Sequence, residues 1–232
     1  MPAAAQRNFY GRRKGKGLKR SHERYLAEDL PRLSVPGADP QGTRERALID
    51  PAALFGDGRP LWLEIGFGAG EHLADQARAN PGIGFIGAEP FINGVATLLG
   101  KLRGDDPGNV RVHAGDVRDL FDVLPEGCIE RAFLLYPDPW PKARHHRRRF
   151  VTPEHLAPLA RVMRSGAELR VATDIADYVR QTLEEVPPAG FALRTPDPAD
   201  RHTPWPDWHR TRYEAKALRE GRVPHYLTFR RA

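Results

Sequence analysis

Three carboxylates in this chain stand where a ligand would meet them. Glu64 opens the run Glu64-Ile65-Gly66-Phe67-Gly68-Ala69-Gly70, in which alternate glycines follow a short apolar stretch. Glycines there let the backbone turn tightly and let a ligand approach without interference from a Cβ. Glu89 and Asp116 each close a further apolar run, the second in His113-Ala114-Gly115-Asp116. Asp138 lies between two prolines in Tyr136-Pro137-Asp138-Pro139-Trp140-Pro141-Lys142.

The chemistry is narrowed by what these residues lack. No Gly-Lys-Ser/Thr follows the glycines, so the phosphate cradle of a P-loop is excluded. A dinucleotide pyrophosphate on a helix N-terminus has no use for Glu64 beside it, which disfavours a nicotinamide dehydrogenase. The acids suit a ligand with an ammonium, a ribose and an adenine but no phosphate. S-adenosylmethionine, with Gly66 and Gly68 at its approach, has all three groups. The plainer reading is that each acid caps the helix after it, and three in succession make that the weaker one. No His/Cys spacing suggests a metal, and Cys128, the single cysteine, permits neither an internal disulfide nor an all-cysteine site.

The elements that must position these acids announce themselves from Leu61 onward. Strand-length apolar runs alternate with helix-length segments, the pattern of βαβ units and a parallel sheet. The runs predict strands at Leu61–Gly66, Gly84–Glu89, Val110–Ala114, Arg131–Tyr136 and Glu168–Thr173, with two more at Phe191–Arg194 and His225–Phe229. Helices are predicted over Glu71–Ala79, Asn93–Leu102, Val117–Leu124, Thr152–Arg164 and Arg212–Arg219. The fourth has a capping Thr152, Pro153 at its first position and Gly166 as its terminator, while Pro158 should loosen its early turns. Strand ends at one sheet edge converge on one crevice, so Glu64, Glu89 and Asp116 are expected to share a site.

Charge supplies the partner. Lys plus Arg number 36 against 30 Asp plus Glu, a net +6. Arg7 to Arg24, Lys142 to Arg149 and Arg210 to Arg231 hold eight, five and seven cations against three acids, so the rest of the chain is net acidic. Basic segments on an acidic body point to a polyanion, with nucleic acid favoured over a solvated surface. The division predicted is a flexible basic arm over residues 1–30, a connector over 31–60 with a short helix around Arg44 to Ile49, and a domain over 61–232. No run of about 18 apolar residues and no signal-like apolar stretch appears. The expectation is a cytoplasmic protein with no membrane and no obligate protein partner.

From the Pro-Asp-Pro-Trp segment the sequence closely resembles the tRNA (guanine-N7)-methyltransferase family. The family pattern occurs in order: Leu63 to Gly68, Glu89-Pro90-Phe91, Tyr136 to Lys142 with its basic run, Thr173-Asp174 near Tyr178, and Thr211-Arg212-Tyr213-Glu214. The resemblance spans Leu61 to Arg231. It implies a Rossmann-like class I methyltransferase, an α/β fold whose seven-stranded, mostly parallel sheet has helices on both faces, an antiparallel last strand and a substrate-binding insert around 196–222. It implies S-adenosylmethionine contacts for Glu64, Glu89, Asp116 and Asp138, with Asp138 also catalytic. It assigns Lys142, Asp174, Thr211, Arg212, Tyr213 and Glu214 to the guanine-bearing substrate. RNA falls to the basic run: Arg144, His145, His146, Arg147, Arg148 and Arg149. The reaction implied is methylation of a guanine N7 in the tRNA variable loop.

The residues suit that chemistry. Guanine N7 has a free lone pair and no proton to lose, so attack needs positioning and stabilisation of a cationic product rather than a strong base. Asp138 can accept from the guanine amino and imino edge. Trp140 can stack on the base or pack in the fold. Pyrimidine C5 methylation needs a cysteine nucleophile, and Cys128 precedes its strand, away from the crevice. An amino-group methyltransferase of the adenine-N6 kind and a non-catalytic RNA-binding module on the same fold are the alternatives. The basic run with the Thr-Arg-Tyr-Glu segment opposes the first, and the intact glycine turn and acids oppose the second.

Overall fold

Strands buried on both faces read as continuous apolar runs, and such runs form the middle of one sheet in the computed structural model, which describes residues 9–38 and 47–232; the sheet has seven strands. They are β1 Leu61–Ile65, β2 Gly84–Ala88, β3 Val110–His113, β4 Ile129–Leu135, β5 Met163–Thr173, β6 Phe191–Leu193 and β7 His225–Arg231. Their order is β3-β2-β1-β4-β5-β7-β6. β1 to β5 run parallel, and β7 is antiparallel to both neighbours. This is the expected Rossmann-like methyltransferase topology.

Side-chain alternation along each strand divides the core in two. Leu61, Leu63 and Ile65 pack on one side with α5 (Val117–Val123), α6 (Pro153–Val162) and α7 (Ala176–Glu185). Trp62, Phe85 and Phe133 pack on the other with α3 (Glu71–Ala79) and α4 (Ile92–Gly104). α1 (Arg20–Glu28) and α2 (Leu30–Leu33) lie beside α4 and β3, and α8 (Arg212–Arg219) precedes β7. Among the described residues no helix is long and apolar enough to cross a membrane.

Several boundaries differ from the sequence expectation. α6 ends at Val162, and Gly166 terminates no helix: with φ +77° it lies inside β5, which is longer than predicted and starts at Met163. The pairing jumps from Ile129↔Met163 to Arg131↔Glu168, so β5 carries a bulge there and glycine accommodates its left-handed turn. Thr152 precedes α6, but its hydroxyl caps no backbone N–H and instead lies 3.2 Å from His155 Nδ1. α7 was not anticipated. Its buried face consists of Tyr178, Val179, Gln181 and Thr182, too polar to register as an apolar stripe.

The basic arm is the larger difference. Arg20 to Glu28 are helical, with Tyr25 and Leu26 against the core. Ahead of them the chain is irregular but tethered: Ile92 N–H donates to the Arg13 carbonyl, while Asn93 accepts from Gly15 N–H and donates to the Lys16 carbonyl. The first eight residues, and Arg44 to Arg46 of the predicted connector helix, lie outside the described residues. Residues 47–49 are not helical.

Candidate active site

The strand order reverses between β1 and β4, and a cavity of about 440 Å³ opens at their carboxyl ends, where open α/β sheets place ligands. Its walls include Gly66, Gly68, Glu89, Asp116, Tyr136, Asp138 and Tyr213, with Phe9 to Arg12 of the arm at one side.

The glycine turn is built as its sequence demanded. Gly66, Gly68 and Gly70 have φ of +69°, +58° and +72°, the left-handed region that side chains resist. Gly68 N–H donates to Glu89 Oε2 at 2.7 Å, and Phe91 N–H to Glu89 Oε1 at 2.8 Å. One carboxylate therefore clasps the turns after β1 and β2. Burial pushes its pKa up to about 7; the two N–H bonds oppose this, and the charges of Asp138 and Glu64 add to it.

The other acids divide. Asp116 lines the cavity and also caps α5, accepting from Arg118 N–H at 3.0 Å and from the Arg118 guanidinium. The capping and ligand readings thus coexist at this residue. Glu64 is buried and bonded to His72 Nδ1 at 2.7 Å, and it is not among the cavity-lining residues. Its sequence position gives no sign of that partner, eight residues on.

Asp138 is exposed at the cavity edge and makes no hydrogen bond or ion pair among the described residues. The loop holding it is strained. Tyr136 and Trp140, two and two residues away, have φ of +48° and +41°, uncommon for bulky side chains. Burial, with Tyr226 and Glu214 nearby, raises the Tyr136 phenol well above its usual pKa. Trp140 lines the cavity, its ring 5.0 Å from the Arg148 guanidinium, which also lies 5.1 Å from the ring of Tyr10 in the arm.

The basic run separates into two kinds of residue. Lys142, Arg144 and Arg147 are exposed, and His145, His146 and Arg148 are half-buried. Desolvation and the four cations around it lower the His145 pKa. Arg149, grouped by sequence with the RNA-facing residues, is instead fully buried, and its partners are protein atoms. Adjacency in a cationic run hid this.

The insert shows a similar division. Thr211 caps α8 by accepting from Glu214 N–H at 3.2 Å. Glu214 is buried, taking Trp208 Nε1–H at 2.6 Å and Tyr226 O–H at 2.9 Å. Arg212 and Tyr213 face outward, and a Cβ on Gly68 would lie 3.3 Å from the Tyr213 ring. Asp174 is ion-paired with Arg222. Asp207 joins Arg131 and Arg170 of the sheet at 3.1 and 2.6 Å, anchoring the segment that leads to Trp208.

The site therefore fits a ligand that is cationic and rich in hydroxyl donors. Glycine turns leave backbone exposed, and three carboxylates line the wall, one held back from ionising by burial and like charge. Among the described residues no group of three or more potential ligands could hold a metal ion. The half-buried Cys128 thiol is pushed up to about 11 by burial and lies outside the cavity.

Comparison with solved structures supports the fold: the 16S rRNA methyltransferase KamB aligns at TM-score 0.56 and 18% identity, covering 82% of this chain and 97% of that one. An antibiotic-related methyltransferase aligns at TM-score 0.54 and 16% identity, covering 85% and 98%. Fold and site define a class I methyltransferase architecture, and the family described as putative methyltransferase matches residues 58–227. A Ruegeria pomeroyi protein named tRNA (guanine-N(7)-)-methyltransferase is 68% identical over 99% of this chain and 97% of its own. One of the same name from Paracoccus denitrificans is 64% identical, with the same coverage. The chain belongs to the tRNA (guanine-N(7)-)-methyltransferase family.

Proposed function

We propose that this protein transfers a methyl group from S-adenosylmethionine to N7 of a guanine in the tRNA variable loop. Asp138 carries the reading: a carboxylate with no hydrogen-bond or ion-pair partner among the described residues, on a strained loop at the rim of an acidic cavity and next to exposed cations, in a chain so similar to proteins of that name.

S-adenosylmethionine supplies an electrophilic methyl group on a sulfonium. The chain's own residues bind and aim. Glu89 uses one lone pair on each oxygen for backbone N–H groups and keeps others for hydroxyl donors. Its ionised form, disfavoured by burial and like charge, is favoured by a cationic ligand. Asp138 accepts from the guanine amino and imino groups, which orients N7, and its charge offsets the positive charge the purine acquires. Tyr213, over the glycine turn, and Trp140, on the strained loop, offer faces to the base. Lys142, Arg144 and Arg147 hold phosphates at the rim. Asp174, Thr211 and Glu214 act from behind, setting the positions of Arg222, Arg212 and Tyr213.

The test is nucleoside mapping by mass after incubating pure protein, unmodified tRNA and S-adenosylmethionine. 7-Methylguanosine at one variable-loop guanine is expected. A methyl on an adenine amino group, or on no nucleoside, refutes the assignment.

A further inference from the structure

Arg149 is the one residue of the basic run that solvent does not reach, at 1% exposure. Its Nε–H donates to the Pro139 carbonyl at 2.8 Å, and Nη2–H reaches the Trp140 carbonyl at 3.5 Å. On the opposite side Nη1–H donates to Gln181 Oε1 at 2.8 Å, and Nη2–H to Asp177 Oδ2 at 2.7 Å. The guanidinium also lies 5.2 Å from the Tyr178 ring centroid. Gln181 is fixed in turn, donating to the Val151 carbonyl at 2.6 Å. One cation thus ties the loop carrying Asp138 to α7, the helix that follows Asp174.

A buried charge persists only where it is paired and its donors are used. Here the donors are used on the two residues after Asp138, one of which, Trp140, has the unfavourable φ of +41°. A strained backbone persists only where its surroundings over-determine it. The planar fork of arginine spans acceptors on both elements; the point charge of lysine does not.

We propose that Arg149 is a positioning residue, which sets the loop conformation that aims Asp138 and Trp140 and which holds no RNA. The proposal rests on the methyl-transfer reading above for its effect on rate, but its effect on the loop is independent of that reading.

Arg149→Lys is compared with Arg147→Ala, an exposed neighbour, and with Asp177→Asn, which keeps the guanidinium but weakens one anchor. Single-turnover methyl transfer at saturating tRNA and cofactor is expected to fall by at least about tenfold in Arg149→Lys, from lost alignment alone. Its tRNA affinity should stay within about twofold, with an unchanged salt slope, whereas Arg147→Ala should lower that slope by about one. Amide exchange over residues 138–143 should accelerate in Arg149→Lys and leave β1 and β4 unaltered. If Arg149→Lys does not fold, Asp177→Asn carries the test, with faster exchange in the same segment and a smaller loss of rate. A reduced salt slope with the rate retained, or unchanged exchange in a folded variant, overturns the proposal. A wild type that forms no 7-methylguanosine overturns the functional reading, and loop exchange then still decides the role of Arg149.

Discussion

Burial holds the Glu89 carboxyl at about 7, against 4.5 for an ordinary glutamate. Between those values the unfolded chain gives up its proton while the folded chain keeps it, so stability falls as pH rises. Below the lower value both states are protonated and nothing is lost; above the higher both are ionised and the whole cost stands. The slope is roughly 1.4 kcal/mol per pH unit, which makes a total of about 3 kcal/mol across the window. Glu89→Gln removes the titration. Its amide has one acceptor oxygen for two N–H donors, so either Gly68 or Phe91 faces an NH2, at a cost of about 1–3 kcal/mol at any pH. The variant should therefore be the less stable protein near pH 5, and the gap should narrow by about 2–3 kcal/mol by pH 8. Urea unfolding of both proteins at steps across that range, without cofactor, measures the gap. A gap that does not change with pH refutes the assignment of the raised pKa to this residue. With S-adenosylmethionine present, wild-type affinity should weaken as pH falls below about 7, approaching tenfold per unit, and the variant should show no such trend.

Asp138→Asn should keep cofactor affinity within a few-fold while single-turnover methyl transfer falls by about 10²-fold or more, since the amide still accepts but carries no charge; calorimetry and rapid quench separate the two. Replacing Lys142, Arg144 and Arg147 together by alanine should reduce the salt dependence of tRNA binding by about two to three in log–log slope and leave cofactor affinity unchanged. Deleting the arm through Lys19 should weaken cofactor as well as tRNA binding, because Phe9 to Arg12 line the cavity. Cofactor affinity unaltered by that deletion, read by calorimetry, shows the arm to be dispensable for the wall.

The parallel half of the fold was legible because β1 and β2 are buried along their whole length and β3 and β4 along most of theirs, each strand spaced from the next by a helix-length segment. Glu89 and Asp116 were found because each closes a strand, so topology carries it to the crevice, whereas Asp138 was assigned through the family resemblance of its Pro-Asp-Pro-Trp segment. Glu64 obeyed that rule by position but turns toward His72, a partner that strand periodicity does not reveal. Arg149 and Glu214 were misread in a common way. Both are charged residues within motifs that otherwise face outward, and their burial is decided by partners far along the chain, Asp177 and Gln181 for one and Tyr226 for the other. α7 escaped notice because Gln181 and Thr182 occupy its inner face, where they serve backbone carbonyls in place of apolar contacts.

The position of β7 has a consequence for how the protein is made. Synthesis runs from the N-terminus, yet β7, which appears after β6, belongs between β5 and β6. Until it arrives, the hydrogen-bonding edge of β5 is open, β6 has no neighbour to pair with, and Leu227 and Phe229 are missing from the core. Tyr226 is absent too, so Glu214 lacks one of its two donors and the insert cannot settle. The nascent chain thus presents an unpaired strand edge of the sort that recruits other chains. Residues His225 to Arg231 complete the sheet only after its other six strands have been translated. A frameshift or stop codon ahead of His225 removes an interior strand and leaves β6 without its sheet neighbour.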